Sequence, residues 1–507
     1  MTFNLSEIAD ILGSPPPASP TSDDRRVAGY SIDSRTLRTG ELLFAVRGRR
    51  LDGHDYVKAA LEAGASAAVV AADRVNDFPV EVRPRLLAVR EPLEALQKLA
   101  AAARRRWGGP VVAVTGSMGK TTTKQMIAAL LRTRYRVLEN EGNLNNHFGL
   151  PLSLLRLEPE TEVGVFELAM SGPGEIRLLA ELAAPEVGVV TNVGPVHLEF
   201  FPDVEAIARA KFELIETLGE HAWAVLNADD PRVSRFGERM SGQTLYFGIS
   251  RPADFRAEGL SPNGSGGWAF TVSRSAAGSK ALGAVQAPAC HGDQIPPSDP
   301  AAARFHLPLL GQHNVLNALA ALETASLFGL SPSSLQEAVA GLRPARMRGD
   351  IVKLTNGALV VNDCYNSSPQ ALEAMLASVA SLPARRRIAV LGGMFELGPG
   401  AEPLHAQCGA RVVELGFDFL VTVGDEAWGL AHGAQTRGLA ASRQIHLASP
   451  EDAGKWLKDH LVEGDVVLLK GSRGVHLERV WEQLGSMMDV NAPEAAEADR
   501  GRKQVSV

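Results

Sequence analysis

The clearest chemistry in the chain lies in the run Thr115-Gly116-Ser117-Met118-Gly119-Lys120-Thr121-Thr122-Thr123. It follows a β-branched stretch, Val111-Val112-Ala113-Val114, and leads into residues of helical spacing. Glycines let a backbone fold tightly enough to aim its N–H groups at phosphate oxygens, and the N-terminus of the following helix adds a positive dipole. Lys120 is then placed to reach the β- and γ-phosphates of a nucleoside triphosphate, with the Thr121 hydroxyl as a ligand for Mg²⁺. The usual phosphate loop puts four residues between its glycines. Only Ser117 and Met118 separate Gly116 from Gly119, so this is an unusual short form.

Three residues downstream carry weaker signals. Glu167 lies just past the buried run Val163–Phe166, where an unpaired carboxylate costs several kcal/mol. It reads either as a second oxygen ligand for Mg²⁺ or as a salt-bridged structural residue. His197, in the loop Thr191-Asn-Val-Gly-Pro-Val-His-Leu-Glu199, reads by itself as a hydrogen-bonding loop histidine. Lys211, in Ala208-Arg-Ala-Lys-Phe-Glu-Leu-Ile215, reads by itself as a solvated lysine on an amphipathic helix.

These residues need elements to position them. Val111–Thr115, Val163–Phe166, Val187–Val190 and Trp223–Leu226 are continuously apolar, and each is followed by polar residues. Continuous apolar runs mark parallel strands covered on both faces, with ligands bound at their carboxyl ends. The central domain is therefore expected over 108–342, an α/β unit with a parallel sheet. Within it, the Pro/Gly/Ser/Ala-rich stretch 260–303 reads as a loop insertion. Before it, 1–107 mixes short strands (Gly40–Val46, Ala65–Ala71) with helices (Tyr56–Ala63, Glu91–Arg106) and ends at Gly108-Gly109-Pro110. A third α/β unit, 343–489, carries the strands Ile388–Leu391, Phe419–Val423 and Asp465–Leu469 without a Gly-x-Gly-x-x-Gly turn. Residues 490–507 read as a polar, disordered tail.

Composition narrows the class. The 507 residues suit about three domains. Lys and Arg number 51 against 58 Asp and Glu, a net charge of −7, which argues against a chain-wide binder of nucleic-acid backbone. Three scattered cysteines, Cys290, Cys364 and Cys408, form neither a disulfide framework nor a cysteine zinc site. With no signal peptide and no apolar run of about 18 residues, the expected place is the cytoplasm, without membrane insertion.

The motifs, in this order, resemble the Mur ligases, ATP-dependent amide-bond-forming enzymes of peptidoglycan precursor synthesis. The short Thr-Gly-x-x-Gly-Lys-Thr loop is that family's own form. Asp33-Ser34-Arg35, with Gly40–Gly48 and Asp52-Gly-His54, is similar to its UDP-sugar-binding N-terminal domain. Gly142-Asn-Leu-Asn145-Asn146-His147-Phe-Gly-Leu-Pro151 is similar to its Asn-rich substrate loop, with His147 an uncommon occupant. Gly311-Gln-His-Asn314, Arg348 and Asp363-Cys-Tyr-Asn366 resemble its adenine, phosphate and ribose contacts. Leu391–Gly398 and Lys470-Gly-Ser-Arg473-Gly474 resemble the C-terminal motifs of the branch that adds D-alanyl-D-alanine. The Asp-Asn-Pro-Arg run of the branch adding diaminopimelate or lysine is absent.

The resemblance implies three α/β domains: UDP-sugar-binding, P-loop ATPase and Rossmann-like. It implies ATP and Mg²⁺ as cofactors, with Lys120, Glu167, His197 and Lys211 catalytic. Thr121 and Glu167 would hold one Mg²⁺, and His197 with a carbamylated Lys211 a second. The nucleotide would be bound by Thr115–Thr122, Asn314, Arg348 and Asp363. UDP-N-acetylmuramoyl-tripeptide would meet Ser34, Arg35, Asn145 and Asn146. Lys470 and Arg473 are either partners of the dipeptide carboxylate or surface charges. The implied activity is ligation through an acyl phosphate by a monomer. Competing readings are the amino-acid-adding branch, a folate-polyglutamate-type ligase, and a nucleotide-dependent binding module.

Overall fold

The strand Val111–Thr115 sits at the crossover of a sheet that, among the described residues, has nine strands. The computed structural model describes residues 1–15, 26–48, 51–263, 266–286 and 302–487. On one side of Val111–Thr115 lie Val163–Glu167 and then Val137–Glu139; on the other lie Val187–Val190, Trp223–Asn227 and Gln243–Gly248. All these pairings are parallel. Val111–Thr115, Val163–Glu167 and Val187–Val190 are buried along their whole length, as continuous apolarity requires when helices cover both faces. The chain reverses its direction of strand addition at Val111–Thr115, so the Gly116–Gly119 turn opens into the crevice where such sheets bind ligands.

The expected loop insertion over 260–303 is corrected. Phe255–Pro262 pairs parallel with Gln243–Gly248, and Trp268–Arg274 and Ala302–Leu307 then extend the sheet antiparallel. Trp268-Ala-Phe-Thr-Val272 alternates only loosely, and the neighbouring Gly, Ser and Pro residues hid it. Residues 287–301 and the expected tail at 490–507 lie outside the described residues.

The N-terminal sheet is parallel, in the order Gly29–Ser31, Glu41–Phe44, Ala67–Ala71, Leu86–Val89. The helix Pro92–Trp107 starts on a proline, which suits a first-turn position, and stops at Gly108 in left-handed backbone. It packs Leu96, Leu99, Ala100 and Ala103 into one cluster that includes both Phe44 and Phe166. Arg104 pins it further, donating to the Ala183 carbonyl at 2.6 Å. The first two domains therefore share a core.

The third sheet runs Asp350–Lys353, Leu359–Asn362, Asp465–Lys470, Arg386–Gly392, Phe419–Val423, Gln444–Leu447. Its first pair is antiparallel and the rest parallel. Hydrophobic clusters cover both its faces, one of them also taking in Leu310. Among the described residues, no helix is long and apolar enough to cross a membrane.

Candidate functional site

Gly116 is required by its neighbours. Its φ is +149°, and a Cβ there would overlap the Thr191 hydroxyl. Gly119, at φ +78°, leaves 2.6 Å between an ideal Cβ and Asn317 Oδ1. The loop is held from the next strand's end: Ser117 N donates to Asn192 O at 2.9 Å and Met118 N to Asn192 Oδ1 at 2.9 Å. Thr191 Oγ1 donates to Met118 O at 2.6 Å. Thr191, Asn192 and Asn317 were not singled out from sequence. Thr191 and Asn192 signalled only as a polar pair directly after a buried strand, while Asn317 lies within the helix His313–Leu327.

The helix Lys120–Leu131 begins at Gly119 without a side-chain cap, so its first N–H groups remain for a ligand. Lys120 Nζ donates to Gly116 O at 3.0 Å and Ser117 O at 3.3 Å. Lys211 Nζ reaches the same Gly116 carbonyl from behind at 2.9 Å. Lys211 is 2% exposed, which overturns the solvated-lysine reading. Burial, and then the adjacent Lys120 charge, hold its amine well below the usual lysine range. Burial also lowers Lys120, with Glu167 opposing and Arg348 adding to the shift.

Glu167 is 3% exposed. Its Oε2 accepts from Thr121 Oγ1 at 2.6 Å, and its Oε1 from Asn145 Nδ2 at 2.9 Å. Asn140 brackets its backbone, at 3.0 Å to N and 3.1 Å to O. Hydroxyl and amide donors, rather than an ion pair, satisfy this carboxylate among the described residues. Mg²⁺ takes one or two protein oxygens and completes its shell with phosphate and water oxygens. The Thr121–Glu167 oxygen pair fits that demand.

A cleft of about 620 Å³ gathers residues from the central and C-terminal domains. Its lining includes Ser117 to Thr122, Asn145, Asn146, Glu167, His197, Asn314, Arg348, Asp363, Lys470 and Arg473. Asn314 is fixed by Leu310 O at 2.7 Å and by Asn317 Nδ2 at 3.0 Å. Arg348 stacks 4.2 Å from the Tyr365 ring centroid, and Arg473 lies 5.8 Å from the same ring. One aromatic ring thus spaces two guanidiniums.

Lys470 differs from both readings made of it. Its side chain is 3% exposed and forms an ion pair with Asp363 Oδ2 at 2.5 Å, with Asn366 O at 3.0 Å. It is neither a surface charge nor a free cation for a carboxylate, because the buried ammonium is already satisfied. Arg473 remains half-exposed beside Glu478, at 3.4 Å. Ser34 and Arg35 are not brought to the cleft; Arg35 pairs with Asp33 at 2.7 Å on the N-terminal domain. Thr115 is buried, with its hydroxyl donating to Leu168 O at 2.9 Å.

His197 faces the C-terminal domain, and its Nδ1 hydrogen-bonds to Glu396 Oε2. That bond holds the Glu396 carboxyl below its ordinary range, against the opposing effect of burial. Glu199 N donates to Glu396 O at 3.1 Å, and Ser368 Oγ lies 3.6 Å from Met118 Sδ.

Three domain descriptions match the chain. Residues 26–104 match "Mur ligase family, catalytic domain", 114–325 "Mur ligase middle domain", and 347–473 "Mur ligase, glutamate ligase domain". The chain is 35% identical over 468 residues to UDP-N-acetylmuramoyl-tripeptide–D-alanyl-D-alanine ligase of Bacillus subtilis (strain 168), covering 92% of this chain and 95% of that one. Against the Escherichia coli (strain K12) protein of the same name it is 31% identical over 484 residues, covering 95% and 98%. Among solved structures, MurF from Acinetobacter baumannii superposes with a TM-score of 0.80 at 25% identity, over 96% and 99% of the two chains. MurF ligase from Thermotoga maritima in complex with ADP gives 0.75 at 29% identity, over 92% and 99%.

Proposed function

The chain belongs to the Mur ligase family, and from that premise we propose that it joins D-alanyl-D-alanine to UDP-N-acetylmuramoyl-tripeptide, converting ATP to ADP and phosphate. The observation carrying this reading is the convergence of the phosphate loop, the Asn-rich loop and Arg348, Asp363 and Arg473 on one cleft. Relatives more than 30% identical over nearly the whole chain bear the name of that ligase.

A free carboxylate is a poor electrophile because its charge repels an incoming amine. The tripeptide's terminal carboxylate therefore attacks the γ-phosphorus of ATP, the bond to ADP breaks, and an acyl phosphate forms. The dipeptide amine then attacks the acyl carbon, phosphate leaves with the C–O electron pair, and the amine gives up a proton. The first step brings two anions together. Lys120 and Arg348 neutralise that repulsion and the charge that develops during transfer. Thr121 and Glu167 would hold Mg²⁺, which when bound would supply further charge neutralisation at the phosphates. A Lys211 carbamate, with His197, would hold a second ion; the lowered amine pKa favours it, since CO₂ adds only to a neutral amine.

The other residues position substrates. Asn145 and Asn146 lie on the acyl side of the cleft, Asn314 and Asp363 on the adenosine side, and Arg473 meets the dipeptide carboxylate. Lys470 holds Asp363 in place. Ser34 and Arg35 hold the distant UDP end. Contacts of Glu396 and Ser368 across the cleft keep water from the acyl phosphate. One chain supplies every group, so the working unit is a monomer, acting in the cytoplasm where ATP is supplied.

Phosphate release tests this directly. With UDP-N-acetylmuramoyl-tripeptide and ATP present, D-alanyl-D-alanine should stimulate release while lysine and diaminopimelate do not. Lys120→Ala should abolish release in a folded protein. Stimulation by a single amino acid on the dipeptide precursor would assign the amino-acid-adding reaction instead. No stimulation by any acceptor would leave a binding module.

A further inference from the structure

Five non-glycine residues among the described ones have left-handed backbone: Ala184, His197, Met347, Glu396 and His476. Two of them, His197 at φ +58° and Glu396 at φ +60°, touch each other across the boundary between the central and C-terminal domains. Such backbone costs about 1–3 kcal/mol per residue and persists where surroundings over-determine it. Here the surroundings do so on both sides. The Glu396 loop follows the strand Arg386–Gly392 and is pinned from its own domain. Met394 N donates to His405 Nε2 at 2.8 Å, and Phe395 N donates to Ser472 Oγ at 2.9 Å. Across the boundary, Glu199 N donates to Glu396 O at 3.1 Å.

We propose that Glu396 is a positioning residue that fixes the tautomer and orientation of His197, so that His197 becomes competent only when the C-terminal domain is docked. A carboxylate only accepts hydrogen bonds, so the ring nitrogen it meets, Nδ1, carries the proton. Nε2 is left with its lone pair and has no hydrogen-bond partner among the described residues. His197 lines the same cleft as Lys120 and Glu167, so Nε2 is the nitrogen available to a ligand there. Carboxylates commonly orient ligating histidines in this way. What is particular here is their separation: the histidine belongs to the domain with the phosphate loop, and its carboxylate to the domain expected to bring the acceptor. Docking of one domain thereby completes the site on the other.

The proposal rests on the ligase reading for its kinetic consequence, but the tautomer is read without substrate, so the two can fail separately. The full chain is labelled with [¹⁵N]histidine and examined by NMR at alkaline pH, with His197→Gln assigning the resonance. Wild type should show His197 protonated at Nδ1. Glu396→Ala should move the proton to Nε2 and lower kcat about 10–100-fold, with KM for the UDP substrate and the melting temperature unchanged. Glu396→Gln, whose amide oxygen still accepts, should restore the Nδ1 proton and most of kcat. An unchanged tautomer in Glu396→Ala overturns the proposal even if activity falls. So does a kcat within about twofold of wild type. A wild-type chain with no ligase activity would remove the proposed function and leave the tautomer result standing.

Discussion

Thr121 and Glu167 belong to different elements, the helix after the phosphate loop and the neighbouring strand, yet their side-chain oxygens meet at 2.6 Å. Asn145 holds the second Glu167 oxygen at 2.9 Å. A buried carboxylate is thus aimed at the loop by two neutral donors rather than by a direct ion pair.

That arrangement predicts the behaviour of Glu167→Ala. Titrating Mg²⁺ at saturating ATP should show a raised metal requirement, with kcat lower by about 10²–10³-fold, as when a preorganised electrostatic group is removed. An unchanged Mg²⁺ dependence would make Glu167 a structural residue.

The Lys211 amine predicts a reversible modification. Because burial and Lys120 lower its pKa, its neutral fraction at a given pH exceeds that of an exposed lysine. The carbamate should therefore form more fully as pH rises and be lost on acidification. In [¹³C]bicarbonate, the chain should show a carbamate resonance that Lys211→Ala lacks. Full ligase activity without that resonance would sink the assignment.

Asp363 and Lys470 predict an asymmetry in stability. Asp363→Ala strands a buried ammonium and should cost about 3–5 kcal/mol, whereas replacing both partners with leucine and methionine should cost much less. Hydrogen exchange along Asp465–Lys470 reads this out. Equal losses in the two variants would refute the predicted asymmetry.

Glu323 predicts a pH dependence of folding. It sits within the helix His313–Leu327, fully buried, and neither carboxyl oxygen has a hydrogen-bond partner among the described residues. Burial, with Asp254 adding, raises its pKa well above the ordinary 4.5. Above pH 4.5 the unfolded chain has released this proton while the native chain still holds it. Its contribution to stability is therefore full below that pH and falls as pH rises, until the folded group itself ionises. Glu323→Gln should flatten this slope, and Glu323→Met should raise stability at neutral pH by about 1–3 kcal/mol. Melting curves of Glu323→Met that match wild type from pH 5 to 8, either side of the range where proteins are most stable, would refute this.

What the chain's own order of residues determined was local: the short loop from Gly116 to Lys120, the buried parallel strands feeding it, and the helix stop at Gly108. Each depends on backbone conformation or on hydrophobic period, and both are written within a few neighbouring residues. Those same motifs supported the family resemblance that the comparisons bear out. The strand Trp268–Arg274 escaped because its alternation is loose, and Gly, Ser and Pro around it concealed it. Tertiary structure alone decided the partners. It turned Lys211 from a surface lysine into a buried amine behind Gly116, and spent Lys470 on Asp363 rather than on a ligand. It also set Glu396 against His197, 199 residues apart in the chain. Charge state and ligand competence follow from burial and from which groups meet, and no local pattern encodes contacts made across domains.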